Sequence, residues 1–146
     1  MNNPSTKRFT REIKAWISYD LGNSAFATTV VAAFFPIFYN QYWASNIDSV
    51  VSAQYLSWTL VISNVTLLFT APLIGAITDI SKTTKKLFIS MVLISIICVA
   101  LLYTLEAGSW LYALVFFGIA NYFFSASNVL YDKILVQIAS PDLFSK

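Results

Sequence analysis

The sequence contains no histidine and one cysteine, and only 11% of its 146 residues are charged. Without histidine the chain has no imidazole for acid–base catalysis or metal ligation. Cys98 cannot form an internal disulfide, and its position in an apolar run favours a buried hydrophobic role. A phosphate-binding glycine loop, a metal-ligand cluster and a nucleophile–base set are also missing from the sequence. These absences argue against an enzyme and predict neither a cofactor nor a metal site.

The small charged fraction is accompanied by a large apolar one. Hydrophobic residues make up 58% of the chain, and the mean hydropathy is +0.68. A soluble domain has about 25% charged and roughly 45–50% apolar residues. The composition therefore predicts a membrane protein whose first partner is the lipid bilayer. The basic residues flank apolar runs and form no stripe of their own, which argues against nucleic-acid binding.

Four apolar runs approach or exceed the roughly 20 residues that a helix needs to cross a hydrocarbon core. The spans are predicted at residues 16–42, 55–77, 87–105 and 110–131. They lie within a transmembrane segment, 16–138, between a polar tail, 1–15, and the start of a loop, 139–146. Pro36 and Pro72 are expected to bend the first two spans near their far ends. The predicted fold class is an all-α, polytopic membrane protein with four transmembrane helices.

Basic residues occur in alternate connecting segments. They lie in the tail and between the second and third spans, at Lys7, Arg8, Arg11 and Lys14 and at Lys82, Lys85 and Lys86. The other two loops carry Asp48 and Glu106 but no lysine or arginine. Because loops rich in lysine and arginine stay cytoplasmic, the pattern predicts that both termini are cytoplasmic. The expected location is the cell membrane, or the vacuolar membrane in a eukaryote. Asp132 and Lys133 are interpreted as a pair at the cytoplasmic end of the fourth span.

Polar residues inside the spans recur at helical spacing and therefore share faces. The stripes are Asn121, Ser125, Asn128 and Asp132 in the fourth span, and Thr59, Ser63, Thr66 and Thr70 in the second. In the first span Asp20 aligns with Asn23. Such residues either hydrogen-bond across packed helices or line a water-filled path.

The two interpretations are weighted differently for each stripe. Packing is favoured for the second span, and both interpretations stay open for the fourth. A functional role is favoured for Asp20, although it lies near enough to the helix end to pair with Lys14 instead. The candidate residues of a solute or ion pathway are Asp20, Asn23, Asn121, Ser125 and Asn128.

The hairpin between the second and third spans carries a family resemblance. Gly75 and Asp79 are one helical turn apart and are followed by Lys85 and Lys86. This pattern resembles the loop between helices two and three of the major facilitator superfamily. The first span and the end of the chain are similar to the branch that includes the vacuolar amino-acid effluxers and their bacterial relatives. The similar stretches are 16–28, 35–39 and 139–141.

The resemblance implies a fold and a function. Transporters of this superfamily have twelve helices built from three-helix repeats, so four spans correspond to an N-terminal portion. It implies that helices one and four line the solute path, that helix three faces lipid, and that Gly75, Asp79, Lys85 and Lys86 act as a conformational latch. A role in topology alone is the alternative for these latch residues.

The expected function is the N-terminal segment of a secondary active transporter that moves a small solute by alternating access. Amino acids are a candidate substrate class, and protons a candidate coupling ion. The missing remainder of the transporter would then be the protein partner. The alternative is a small four-helix membrane protein that assembles with or regulates a larger membrane partner.

Overall fold

The computed structural model of the chain describes Lys14 and residues 17–81 and 83–138. The predicted tail, apart from Lys14, lies outside these residues, and so do Trp16, Lys82 and the predicted terminal loop, 139–146. The helices are α1 (Ile17–Trp43), α2 (Ser49–Ser81), α3 (Thr84–Leu101) and α4 (Trp110–Ile138). A 3-10 turn, Leu102–Thr104, continues α3.

Within the part of the chain that the structure describes, four helices are long and apolar enough to cross a membrane, and no strand is present. The prediction of an all-α, polytopic membrane fold is confirmed. By contact, the chain divides into two compact units, Met1–Phe38 and Tyr39–Lys146, which are described separately.

In the first unit, residues 17–38 form a helix whose hydrogen-bond register changes near Pro36. Phe26–Phe34 has π-helical geometry, and the Phe35 N–H bonds to the carbonyl of Val30, five residues earlier. Pro36 has no N–H to donate, and wide turns of this kind are a recognised response to an interrupted ladder. Wide turns thus lie beside the proline, and the bend that the sequence predicts at Pro36 stays a prediction.

In the second unit, α4 lies between α2 and α3 and packs against both, while α2 and α3 touch each other little. One cluster of apolar side chains fills the junction of the three helices. Its buried members are Ile74, Met91, Ala126 and Leu130, and Leu67, Leu87, Phe88 and Phe123 pack around them. On each helix the cluster residues are separated by three, four or seven positions, apart from the adjacent Leu87 and Phe88, so each helix presents one stripe to the cluster.

The third helix is two-faced. Its buried residues are Thr84, Met91, Ser95 and Cys98, and the Ser95 Oγ donates to the carbonyl of Ala120 in α4 at 3.0 Å. The opposite face carries large exposed aliphatic side chains at Ile89, Leu93, Ile96 and Ile97. Such a surface suits hydrocarbon better than water.

The second helix begins at Ser49 and ends at Ser81, so it is longer at both ends than the predicted span, 55–77. Asp48 explains the early start, because its Oδ1 accepts the N–H groups of Val50 and Val51 at 2.9 and 3.3 Å. A side chain in this position satisfies amides that have no partner in the helix, and this stabilises a helix by about 0.5–2 kcal/mol. Pro72 lies inside α2 without ending it. The fourth helix is also longer than predicted and reaches Ile138.

The loop between α3 and α4 contains a tight turn. The Ser109 N–H bonds to the Glu106 carbonyl at 3.2 Å, and Gly108 has φ +86°. Glycine adopts this left-handed conformation without a steric cost. The Gly108 N–H bonds to the Tyr42 carbonyl at 3.3 Å, and the rings of Tyr55 and Trp110 stack at 5.2 Å. The stacked rings join the starts of α2 and α4, and the bond from Gly108 joins the loop to the end of α1.

Candidate functional site between the second and fourth helices

The strongest polar contact between α2 and α4 is made by Lys133. Its Nζ donates to the Asp79 Oδ1 at 2.5 Å, to the Thr78 Oγ1 at 2.7 Å and to the Gly75 carbonyl at 3.1 Å. An ammonium group has three donors, so all of them are used. Lys133 is 23% exposed and Asp79 is 71% exposed, whereas Thr78 is buried. The ion pair therefore faces outwards, and the neutral bonds are the shielded ones.

The interpretation of Asp132 and Lys133 as a pair at the helix end is wrong. Neighbouring residues on a helix point in different directions. Lys133 crosses to α2, and Asp132 stays exposed. The topology predicted from the sequence could have indicated the pair of Asp79 and Lys133. When the chain crosses the membrane back and forth, the second and fourth spans end on the same side, so these two residues lie at a similar depth.

The structure brings together only part of the predicted latch. Among the described residues the ion partner of Asp79 is Lys133, while Lys85 and Lys86 lie exposed in the first turn of α3. Gly75 contributes its carbonyl, and a Cβ added there would meet no atom within 4 Å. Lys133 is the residue that sequence reasoning missed.

Asn121 takes part in a buried hydrogen-bonded chain between the two helices. Its Nδ2 donates to the Ser63 Oγ at 3.0 Å, and the Ser63 Oγ donates to the Gly118 carbonyl at 3.3 Å. Further along the interface, the Tyr122 hydroxyl donates to the Thr70 Oγ1 at 2.8 Å. These are the bonds of packed membrane helices, in which polar side chains satisfy one another.

Asn121→Leu is expected to lower the free energy of unfolding in detergent by about 0.6–2 kcal/mol, because the mutation breaks the bond to Ser63. Thermal unfolding of the variant, of Ser63→Ala and of the double mutant forms a cycle that isolates the bond. The double mutant should cost less than the sum of the single ones. Strict additivity would show that the two side chains do not interact.

The other predicted pathway residues have different surroundings. Asp20 is exposed, and Asn23 has a buried Oδ1 without a hydrogen-bond partner; both lie in the first unit. In the second unit, Ser125 is half-buried, and the Oδ1 of Asn128 is buried and likewise unpaired. The structure therefore joins Asn121 to a packing interface but leaves the side-chain oxygens of Asn23 and Asn128 without a hydrogen-bond partner.

A cleft of about 450 Å³ lies between α2 and α4, and the sequence did not predict it. Gly118 lies at the close approach of the helices, since a Cβ there would come within 2.9 Å of the Thr59 Cγ2. The cleft's other walls are mainly aliphatic. The hydroxyls on its lining already donate within the protein: Thr59 to Tyr55, Ser63 to Gly118, Thr66 to Ile62 and Tyr122 to Thr70. The cleft therefore suits apolar groups better than a polar solute.

Taken together, the helices and their polar contacts define a polytopic membrane protein whose second and fourth helices are tied together by buried hydrogen bonds. The chain is similar to the uncharacterized MFS-type transporter YxiO of Bacillus subtilis (strain 168), with 35% identity over 133 residues. The match covers 90% of this chain and 31% of that protein, so the chain spans less than a third of the curated relative's length. No family model matches the chain, and no solved structure matches it significantly.

This similarity supports membership of the major facilitator superfamily, to which the abbreviation in the relative's name refers. Because it says nothing of the vacuolar amino-acid effluxers, the resemblance to that branch stays a prediction.

Proposed function

We propose that this chain is the N-terminal segment of a secondary active transporter of the major facilitator superfamily, which moves a small solute by alternating access. The observation that carries the proposal is the 35% identity to an MFS-type transporter over 90% of the chain. The four helices of membrane length support it. The alternative of a small assembly protein is less favoured, because the relative is a transporter and is much longer than this chain.

The substrate class that we propose is amino acids, on the resemblance of the first span and the chain's end to the effluxer branch. The polar chemistry of the helices supports a solute of this kind. Carboxamides offer both donors and acceptors, which match a zwitterion better than a hydrocarbon. The unsatisfied oxygens of Asn23 and Asn128 support the assignment of these two residues to the pathway. Asp20 and Ser125 complete the proposed set.

The proposed latch comprises Gly75, Asp79 and Lys133, with Lys85 and Lys86 as neighbouring charges. The bonds from the Lys133 ammonium to three groups of α2 support this part of the proposal. A contact that forms in one conformation and breaks in another biases the equilibrium between them. The alternating pattern of basic residues supports a cytoplasmic location for this contact and for both termini.

The proposal can be tested with the full-length protein in proteoliposomes. Counterflow of a radiolabelled mixture of the standard L-amino acids is expected, with a rate that increases when a proton gradient is imposed. Asp20→Asn should remove the response to the gradient, because the neutral side chain cannot carry a proton. Asp48→Asn is a matched control, since the amide preserves an oxygen that caps α2. No counterflow would contradict the substrate class, and an unchanged gradient response in Asp20→Asn would contradict the role of Asp20.

A further inference from the structure

The polar stripe of α4 divides into a bonded part and an unbonded part. Asn121 is bonded to Ser63 across the helix interface. Beyond it, Ser125, Asn128 and Asp132 follow at spacings of three and four residues and share that face of the helix. The Asn128 Oδ1 is buried without a hydrogen-bond partner, Ser125 is half-buried and Asp132 is exposed.

Asn128 is the informative member of the three, because its Oδ1 is enclosed as well as unpaired. More than nine in ten buried polar groups in proteins have a partner, so an enclosed acceptor without one requires an explanation. Asn128 lies within the membrane-length stretch Trp110–Ile134. Hydrocarbon offers no hydrogen-bond donor there, so the missing partner must come from water, from the solute or from protein.

General looseness of the interface does not explain the unpaired group. On the same pair of helices, the side chains of Asn121, Tyr122 and Lys133 all have bonds of 2.5–3.1 Å. The cleft between α2 and α4 is poorly suited to bind a polar solute, because the hydroxyl groups on its walls already donate hydrogen bonds within the protein. The face of α4 that carries Ser125, Asn128 and Asp132 thus contains an enclosed acceptor, the Asn128 Oδ1, that the neighbouring contacts do not satisfy.

We infer that Ser125, Asn128 and Asp132 form a hydrated track along α4, in which the Asn128 oxygen accepts a hydrogen bond from a cationic or zwitterionic group that carries an N–H donor. This inference rests on the proposed transport function. The track extends for about 10 Å, at 1.5 Å per residue. Asp132, one turn from Asn128, adds a carboxylate that has no ion partner among the described residues. An ammonium group fits both side chains, whereas an anion would be repelled by the second.

Thiol labelling of the full-length protein in broken membranes tests the track without knowledge of the solute. Single cysteines are introduced as Asn128→Cys and Ser125→Cys, with Cys98→Ala and any cysteines beyond residue 146 replaced. The probes are the 2-aminoethyl and 2-sulfonatoethyl methanethiosulfonates, which are similar in size and opposite in charge. Ile119→Cys, on the aliphatic wall of the cleft, is the matched control on α4. Tyr103→Cys, at a side chain 94% exposed, supplies the reference ratio of the two reagents.

Both track positions are expected to react with the ammonium reagent, and Ile119→Cys to stay unreactive. Relative to the ratio at Tyr103→Cys, the ammonium reagent should react about tenfold faster than the sulfonate at position 128, because a carboxylate lies one turn away. Asp132→Asn should remove that preference and leave the reactivity intact.

Two results would overturn the inference. If the cysteines at positions 125 and 128 are as unreactive as the one in Ile119→Cys, then lipid or protein covers this face of α4. Equal relative rates for the two reagents would show that the track does not prefer cations. If Asn128→Cys fails to accumulate in the membrane, Ser125→Cys decides both points. Because labelling requires no transport, it can succeed where the counterflow of amino acids fails, so the two proposals fail separately.

Discussion

Lys133→Met is expected to reduce transport per inserted molecule at least tenfold while the protein still inserts. The lysine ammonium holds the end of α2 through Gly75, Thr78 and Asp79. Coupling of this kind is worth about 1–3 kcal/mol, which corresponds to a shift of roughly 5–150-fold in a conformational equilibrium. The measurement is the initial rate of counterflow divided by the amount of protein in the vesicles.

The solvent exposure of Asp79, Thr78 and Gly75 determines how much each bond to Lys133 contributes to the loss of transport. Asp79 is 71% exposed, and an ion pair open to solvent contributes about 0–1 kcal/mol. Asp79→Asn also retains an oxygen that can accept from Lys133. The bonds to the Gly75 carbonyl and the buried Thr78 hydroxyl are shielded and are lost only when the lysine is replaced. Lys133→Met should therefore impair transport more than Asp79→Asn.

Lys86→Met separates this latch from the one predicted by the sequence. If the contact in the structure is the operative one, removal of an exposed lysine at the start of α3 should change the rate much less than Lys133→Met. A larger effect at Lys86 than at Lys133 would return the latch to the basic hairpin. Wild-type rates in Lys133→Met would leave the contact with a purely structural role.

The helices could be predicted because the length of an apolar run is a property of composition, and the bilayer sets the required length. The side-chain geometry could not, because it depends on which helices are neighbours. Ser63 and Asn121 both belonged to predicted stripes, but their bond requires α2 and α4 to be in register. Lys133 was assigned to the residue beside it in sequence, whereas its long stem carries the charge to another helix. Asp48 was recognised as an acidic loop residue and not as the cap of α2.

The close approach of α2 and α4 likewise depends on packing that the sequence does not display. Glycine in a membrane helix can mark a tight interface, a hinge or nothing at all. Gly75 and Gly118 look alike in the sequence. The structure separates them, because a Cβ at Gly75 would meet no atom within 4 Å, while one at Gly118 would collide with Thr59.

Gly118→Ala is therefore expected to destabilise the pair of helices by about 1–3 kcal/mol, the usual cost of overpacking a well-packed interface. The added Cβ would come within 2.9 Å of the Thr59 Cγ2. Thr59 is β-branched and stiff at χ1, and its hydroxyl is fixed by a 2.9 Å bond to the Tyr55 carbonyl. The side chain cannot swing aside, so the helices must separate and strain the 3.3 Å bond from Ser63 to the Gly118 carbonyl.

Two variants make this test specific. Thr59→Ser removes the Cγ2 and keeps the hydroxyl, so it should restore most of the stability that Gly118→Ala loses. Gly75→Ala has space for its methyl group and is expected to stabilise α2 by about 0.5–1 kcal/mol, as alanine does in place of glycine within a helix. Free energies of unfolding in detergent, measured for the single variants and the Gly118→Ala/Thr59→Ser pair, provide the comparison. A double mutant as unstable as Gly118→Ala alone would show that Thr59 is not the obstacle, and the register of α2 against α4 would then have to differ from the one in the structure.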